Sequence, residues 1–177
     1  MHNRSPNSRA EELPCNPAFA KLIARDLLTQ LRARYRIASG SRDIALLGSS
    51  FGGLASSYIA LEYPNTFGKV LSQSGSYWWN FERGQPAFDG DPRPGWLGRR
   101  FRARPHVNSE FYLSAGSFEV DPSGSGVLES TRAQRDVLRE LGYSVAYQEF
   151  VGGHDVFAWR ATLPDALRAL FRPIARE

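Results

Sequence analysis

The first strong pattern of hydrophobic positions along the chain has helical spacing and begins at residue 16. Asn16 supplies an N-cap and Pro17 supplies a favoured first helical residue. Apolar residues then recur three or four positions apart, on one face of the predicted helix: Phe19, Leu22, Ile23, Leu27, Leu28, Leu31 and Tyr35. Gly40 closes the turn that follows. The pattern predicts an amphipathic helix that packs this face on an apolar surface.

Beyond this helix, short apolar runs alternate with helical patterns. The run 43–47 is almost wholly apolar, which is typical of a strand covered on both faces of a parallel sheet. A helical pattern follows Gly53 and ends near Tyr63, because Pro64 disfavours helical backbone at the residue before it. Further strands are predicted at 69–72, 110–115 and 144–150, and further helices at about 126–141 and 157–171. The alternation predicts an α/β fold with a mostly parallel sheet and right-handed crossovers.

Two segments interrupt this alternation. Residues 1–13 carry no periodicity and are predicted to form an unanchored, disordered arm before a domain at 14–177. Residues 76–109 are rich in Gly, Pro, Trp and Arg and are too long for an ordinary connection. We expect the second segment to be a lid or a binding insertion.

Composition narrows the class of protein. A chain of 177 residues with 42% hydrophobic content is expected to form one soluble domain around one core. The polar first fifteen positions and the absence of a long apolar run argue against a membrane partner and against export. Cys15 is the only cysteine and suits a reducing compartment, so we expect a cytoplasmic protein. The sequence specifies no oligomeric state.

The net charge of +4 raises the question of a polyanionic partner. Most of the arginines are scattered along amphipathic helices, which is typical of solvated helix faces, so no nucleic-acid partner is expected. One cluster at 93–104 is different, since Arg99 and Arg100 lie beside Trp96. Arginines interleaved with aromatic rings can bind an anionic aromatic ligand by ion pairing and stacking together.

The segment 48–52 matches the pattern G-x-S-x-G, and it lies between a predicted strand and a predicted helix. In that context Ser50 is the candidate nucleophile on a strained turn, exposed at the carboxyl end of the sheet. The glycines two residues to either side are expected to avoid a collision with the neighbouring backbone. The N-terminus of the following helix would offer the Phe51 amide to a developing oxyanion.

A serine hydroxyl needs a base, and the chain offers three histidines. His2 lies in the predicted arm and His106 in the predicted insertion. His154 follows the predicted strand 144–150 after a short Gly-rich turn, where a loop at the carboxyl end of the sheet would begin. By this position His154 is the candidate general base for Ser50.

The third member of such a site is a carboxylate placed after the preceding strand. The predicted strand 110–115 is followed by Glu119 and Asp121, and either could orient the imidazole. We favour Glu119 and keep Asp121 as the alternative acid. Asp155 directly follows His154 and is interpreted as a residue at a helix N-terminus.

Longer motifs make the pattern more specific. The chain contains, in order, ELPCNPAF, GSSFGG, PNTFGKVLSQSGSYWW, YLSAG and YQEFVGGHDVFAWRATL. Over about residues 8–172 it resembles the enterochelin esterase family, which are relatives of the esterase D group. The resemblance implies a three-layer α/β-hydrolase fold and a cytoplasmic serine enzyme. It also implies a reaction, the cleavage of the ester bonds of an iron-loaded trilactone of dihydroxybenzoyl-serine.

The resemblance carries further expectations. Trp78, Trp79, Arg99 and Arg100 are implied as contacts for a small-molecule ferric catecholate siderophore, and the two tryptophans could equally serve packing. No cofactor and no catalytic metal are expected, because the iron is part of the substrate. Family members carry a β-rich domain and the first sheet strands before the segment ELPCNPAF, so the chain is expected to be N-terminally truncated. A general carboxylesterase and an inactive fragment are the alternatives.

Overall fold

The computed structural model describes residues 8–80, 95–121 and 126–171. The helices are α1 (Arg9–Glu12), α2 (Pro17–Lys21), α3 (Leu28–Arg34), α4 (Phe51–Glu62), α5 (Trp96–Arg102), α6 (Val127–Glu140) and α7 (Val156–Leu170). The strands are β1 (Ala45–Ser49), β2 (Lys69–Gln73), β3 (Glu110–Gly116) and β4 (Ser144–Phe150). A π-helical turn, Leu22–Leu27, joins α2 to α3, and a 3₁₀ turn, Ser41–Asp43, precedes β1. The four predicted strands are confirmed, and so are the three predicted helices that correspond to α4, α6 and α7.

The four strands form one parallel sheet in the order β1-β2-β3-β4. Leu46, Val70, Phe111 and Val145 are register partners and share one face of the sheet. The neighbouring row, which begins at Leu47, points to the opposite face because side chains alternate along a strand. The prediction of a parallel α/β sheet is confirmed.

Helices cover both faces of this sheet, which gives three layers. On one face, α4 packs on β1 and β2, and α6 packs on β3 and β4. This face holds the larger core, with Leu54, Phe101 and Leu138 among its buried side chains. On the other face α7 packs on β2, β3 and β4 around a smaller core that includes Leu71 and Tyr112.

Strand β1 differs from the prediction that it is covered on both faces. It pairs with β2 on one side, and it lies at the edge of the described sheet. Leu47 points to the face that α7 covers over the other strands, and its side chain is 55% exposed. An apolar run indicates that a strand can be buried, but the strands and helices that cover it depend on the arrangement of the whole sheet.

The helix predicted from residue 16 begins as expected, since the Asn16 side chain accepts hydrogen bonds from the amides of Ala18 and Phe19. The predicted buried face is partly wrong. Leu22 is 49% exposed and Leu27 is 41% exposed. The residues on the buried face are Ala20, Ala24 and Leu28, with Phe19 and Ile23 packed beside them. The π-helical turn adds residues to one turn of the helix and so changes the face that later positions present.

The two interrupting segments also contain structure. Helix α1 lies in the part predicted as a disordered arm, while residues 1–7, including His2, lie outside the described residues. Helix α5 lies in the predicted insertion and packs on α4 and α6, with Leu97 and Phe101 fully buried. The described end of this insertion therefore belongs to the core, and residues 81–94 of the predicted lid lie outside the described residues.

Candidate active site

Ser50 occupies the sharp turn between β1 and α4. Its backbone has φ 59° and ψ −127°, a conformation that L-residues rarely adopt. A Cβ atom on Gly48 would lie 2.4 Å from the carbonyl atoms of Gly52, and one on Gly53 would lie 2.3 Å from Ser72 Oγ. A Cβ atom on Gly52 would meet nothing within 4 Å. The predicted collision therefore holds at Gly48 and is wrong at Gly52, where the helix faces open space.

The N-terminus of α4 begins directly at this turn. The Ser50 carbonyl accepts hydrogen bonds from the amides of Gly53 at 3.0 Å and Leu54 at 3.2 Å, which starts the helix. Among the described residues, the Phe51 amide donates to no backbone carbonyl. A helix N-terminus with such an amide favours negative charge beside it. The arrangement can stabilise an oxyanion formed at Ser50.

Glu119 and His154 are in direct contact. His154 Nδ1 lies 2.5 Å from Glu119 Oε1, and the other carboxylate oxygen, Oε2, accepts from Ser74 Oγ at 2.7 Å and from the Gly116 amide at 2.5 Å. Glu119 is only 7% exposed. Both oxygens of this buried carboxylate therefore have polar partners within the protein.

The loops after β3 and β4 bring these two residues together. The Ser117 amide donates to the Phe150 carbonyl at 2.8 Å, and the Phe118 amide donates to the Gly152 carbonyl at 3.0 Å. These bonds continue the parallel pairing of β3 and β4 beyond their ends. Because both strands end at the same edge of the sheet, the residues that follow them meet there.

The other candidate groups have different partners. Asp155 caps α7, since its side chain accepts from the amides of Phe157 at 2.9 Å and Ala158 at 3.0 Å. Its predicted place at a helix N-terminus is confirmed. The His106 ring packs on the Tyr143 ring with 4.5 Å between centroids. Asp121, the alternative acid, is half-buried two residues beyond Glu119, and the carboxylate that contacts His154 is that of Glu119.

The segment from Ser74 to Ser76 contacts both Ser50 and Glu119. Ser76 Oγ lies 3.4 Å from Ser50 Oγ, and the Ser76 amide donates to the Ser50 carbonyl at 3.2 Å. Ser74, two residues earlier, donates to Glu119, which contacts His154. Over the described part of the chain, Ser50 Oγ has no hydrogen bond to His154. Such bonds are often long without substrate and tighten when it binds.

Trp159 is a site residue that the sequence patterns did not single out. Its ring lies 4.9 Å from the His154 ring at 85°, and its indole Nε1 donates to Ser74 Oγ at 2.9 Å. Gln73 Nε2 donates to the Trp159 carbonyl at 2.8 Å, which fixes the start of α7 over β2. Ser74, Ser76 and Trp159 lie inside the motifs SQSGSYWW and GGHDVFAWR, so the motifs marked the segments without giving these residues a role.

The two candidate tryptophans have different surroundings. The Trp78 ring packs on the Phe51 ring with 5.8 Å between centroids, so it lies next to the nucleophile turn. The Trp79 ring packs edge-on against Trp96, also at 5.8 Å, and Trp79 is packed against the larger core. Trp78 therefore has the better position for contact with a substrate at Ser50.

The two candidate arginines lie on α5. Arg100 pairs with Glu62 at 3.5 Å, and Arg99 Nη2 donates to Asn80 Oδ1 at 3.4 Å. Glu62 is the last residue of α4, whereas Ser50 precedes the first, so about 18 Å of helix separates them at 1.5 Å per residue. The structure does not bring Arg100 to Ser50, because the arginine instead ties α5 to the far end of α4.

Exposed apolar side chains lie on the segments that carry Glu119 and His154. The apolar rim comprises residues from the loops after β3 and β4 and from the first turn of α7: Phe118, Val120, Val151, Val156 and Phe157. Phe118 is 71% exposed and Phe157 is 79% exposed. Side chains of this kind offer flat apolar surface to a ligand that contains aromatic rings.

Other features bear on cofactors and membranes. Within residues 8–80, 95–121 and 126–171, no group of three or more His, Cys, Asp or Glu side chains is arranged to hold a metal ion. In the same ranges, none of the helices has the length and apolar character needed to cross a bilayer. Cys15 is buried away from the site, and burial raises the pKa of its thiol.

Comparisons with known proteins place these observations in context. The model of the Esterase family, described as "Putative esterase", matches residues 2–170. The iron(III) enterobactin esterase of Escherichia coli K12 is 33% identical over 172 residues, which cover 96% of this chain and 40% of that protein. The iron(III) salmochelin esterase of Escherichia coli O6:H1 is 31% identical over 174 residues, with 96% and 41% covered.

Solved structures give the same result in three dimensions. The enterobactin esterase of Shigella flexneri, crystallised in the presence of enterobactin, superposes with a TM-score of 0.79 at 31% identity. The match covers 96% of this chain and 41% of that chain. The chain thus spans about 40% of the length of the curated relatives that it matches.

Proposed function

The chain belongs to the esterase family whose model covers residues 2–170, and on that premise we propose that it is a serine hydrolase of carboxylic esters. Its fold is that of the α/β-hydrolase esterases, with a parallel four-stranded sheet between helical layers. What supports the proposal is that Ser50 follows β1, Glu119 follows β3 and His154 follows β4, so all three belong to the carboxyl end of one parallel sheet, and that Glu119 contacts His154. Ser76 contacts the nucleophile and Ser74 contacts the acid, so one short segment connects the groups.

We assign the first half of the reaction to attack by Ser50. His154 takes the hydroxyl proton on Nε2 while Ser50 Oγ forms a bond to the ester carbonyl carbon, and the carbonyl π electrons move to oxygen. Glu119 on Nδ1 holds the imidazole in the tautomer that leaves Nε2 as acceptor. The Phe51 amide and the α4 N-terminus stabilise the oxyanion.

The second half returns the enzyme to its starting state. Collapse of the tetrahedral intermediate breaks the bond to the leaving alcohol, which receives the proton from His154 and leaves an acyl group on Ser50. Water then attacks the acyl carbon while His154 takes a proton from it, and the carboxylic acid departs as Ser50 regains its proton. This sequence of steps uses side chains of the chain and one water molecule.

We further propose that the substrates are esters of ferric catecholate siderophores. The relatives are named enterobactin and salmochelin esterases, and the Shigella flexneri structure was determined in the presence of enterobactin. Trp78 beside the nucleophile turn and Phe118 and Phe157 of the apolar rim offer apolar surface for catechol rings. The net charge of +4 favours an anionic ligand. Iron would arrive as part of the substrate, and ester cleavage in the cytoplasm would release it for use.

The test of the hydrolase is covalent labelling. We would incubate the purified chain with a fluorophosphonate and measure intact mass, expecting stoichiometric labelling that Ser50→Ala and His154→Ala remove. Ser49→Ala is the matched control, because Ser49 is the adjacent serine and its hydroxyl faces Gln73 rather than the imidazole. A folded chain that takes no label, or that keeps its label in Ser50→Ala, would contradict the proposal.

The substrate class has its own test. Ferric enterobactin, iron-free enterobactin and simple p-nitrophenyl esters would be compared, with liquid chromatography to detect dihydroxybenzoyl-serine. We expect a higher kcat/KM for the ferric siderophore than for the simple esters. Labelling together with a preference for simple esters would instead indicate a general carboxylesterase, the alternative expected from the sequence.

A further inference from the structure

We propose that Ser74 and Trp159 are positioning residues that fix the Glu119 carboxylate and, through it, the His154 imidazole. This inference rests on the proposed serine-hydrolase function. Neither residue exchanges a proton or forms a bond in the mechanism above. Ser74 donates to the carboxylate oxygen that faces away from His154, and Trp159 acts on that oxygen through Ser74.

The direction of each hydrogen bond follows from the chemistry of the three groups. Trp159 Nε1 lies 2.9 Å from Ser74 Oγ, and Ser74 Oγ lies 2.7 Å from Glu119 Oε2. An indole N–H can only donate, and an ionised carboxylate can only accept. The Ser74 hydroxyl therefore accepts from Trp159 and must donate its own proton to Glu119. The indole thus sets the orientation of the Ser74 hydroxyl.

Burial makes this chain of bonds persistent. Ser74 is fully buried, and Glu119 is 7% exposed, so water does not compete for these groups. The Gly116 amide supplies the second donor to Glu119 Oε2. With Oε2 fixed by two donors, Oε1 is held against His154 Nδ1. The Trp159 ring also contacts the His154 ring, which closes a circuit of four side chains.

The backbone of Ser74 indicates that its side chain is needed. Its φ is 50°, in the left-handed region where glycine is the residue without a steric penalty. Its amide donates to the Ser114 carbonyl at 2.7 Å, which holds the segment in this conformation. A serine at such a position keeps a hydroxyl where the backbone alone would favour glycine.

A pair of substitutions separates the hydroxyl from the backbone. Ser74→Ala and Ser74→Gly both remove the donor to Glu119, but only glycine removes the steric strain. We expect both variants to lose about 10- to 100-fold in the second-order rate of fluorophosphonate labelling, the effect of one hydrogen bond to a charged group. Trp159→Phe keeps the ring beside His154 and removes the indole donor, so we expect a smaller loss in the same direction.

The matched control is Ser130→Ala, which removes a hydroxyl that donates to the Val127 carbonyl in the first turn of α6. It should label at the wild-type rate. In ester hydrolysis, the Ser74 variants should lower kcat with KM nearly unchanged, because the carboxylate acts on the imidazole and does not contact substrate. A Ser74→Gly variant that labels as fast as wild type would overturn the inference, since the backbone and not the hydroxyl would then matter.

A second measurement is independent of activity. In the full chain labelled with ¹⁵N, the side-chain shifts of His154 report which ring nitrogen carries the proton. We expect one tautomer, with the proton on Nδ1, in the wild type and a mixture in Ser74→Gly. An unchanged single tautomer in Ser74→Gly would also overturn the inference. A wild-type chain that takes no label would refute the proposed function, while the tautomer comparison would still decide the role of Ser74.

Discussion

Glu119→Gln is the substitution for which the structure gives the sharpest expectation. The amide has the shape of the carboxylate, but its two ends differ. Ser74 Oγ and the Gly116 amide both donate to the position of Oε2, so the amide oxygen must lie there and the NH₂ group must face His154. His154 Nδ1 must then accept, which moves the ring proton to Nε2. In that tautomer the imidazole cannot take the proton of Ser50.

The magnitude follows from the loss of the correct tautomer. In a serine-protease triad, the equivalent acid-to-amide change lowers kcat by about 10⁴-fold, or about 5 kcal/mol of transition-state stabilisation. Here the two donors that fix Oε2 prevent the amide from flipping, so a loss of that order is expected. Folding should be affected much less, because both donors keep an acceptor in place.

The assay is the rate of fluorophosphonate labelling, with ester hydrolysis as the second readout and circular dichroism as the check of folding. Asp121→Asn is the matched control, since it changes the alternative acid in the same way. It should label at the wild-type rate. A Glu119→Gln variant that labels at the wild-type rate, or an Asp121→Asn variant that is as slow as expected for Glu119→Gln, would refute the reasoning.

Two further predictions concern stability and are measured by urea unfolding. Gly48→Ala should lower the free energy of unfolding by about 1–3 kcal/mol, because its Cβ would lie 2.4 Å from Gly52. Gly52→Ala should raise the free energy of unfolding by about 0.5–1 kcal/mol, because alanine favours the helix more than glycine does and its methyl group would meet nothing within 4 Å. Burial raises the pKa of Tyr77 to about 12, so the folded chain holds this proton more tightly than the unfolded chain does. The free energy of unfolding should therefore fall between about pH 10 and about pH 12, where the unfolded chain loses the proton first. Tyr77→Phe should make that fall shallower.

Each stability prediction would be contradicted by a specific result. If Gly52→Ala were as destabilising as Gly48→Ala, the open space at Gly52 would be contradicted. If Tyr77→Phe left the alkaline loss of stability unchanged, the burial of this hydroxyl against Ser57 would have no thermodynamic effect. The other tyrosines whose pKa is raised mainly by burial, Tyr58, Tyr112, Tyr143 and Tyr147, would then account for the loss.

Much of the fold followed from local patterns. The strand 144–150 was predicted with the bounds that the structure has, because alternating and aromatic residues between turn signals identify strands well. The cap at Asn16 was correct because its side chain bonds its own local backbone. The buried face of the helix that follows was partly wrong, since the π-helical turn at Leu22–Leu27 changes the periodicity on which the prediction depended.

Some features of the candidate site also follow from local sequence patterns, and others do not. Ser50 is proposed as the nucleophile from G-x-S-x-G and its flanking elements, and His154 as the base from its place after a strand. Arg100 is expected from the sequence to contact substrate, and in the structure its guanidinium lies beside Glu62 and over the Trp96 ring. A cluster of arginines in the sequence shows that a segment is positively charged, but it does not show which part of the fold the guanidinium groups will contact.

The sequence by itself determined the order of strands and helices, the family resemblance, the strand-to-helix turn at Ser50 and the loop that carries His154, because these depend on residues close together along the chain. Only the tertiary structure decided which carboxylate contacts His154 and what fixes that carboxylate. Glu119 is 35 residues from His154 and 45 from Ser74, and Trp159 is 85 residues from Ser74. Contacts over such separations depend on how the strands are ordered and where their ends meet, which no local periodicity records.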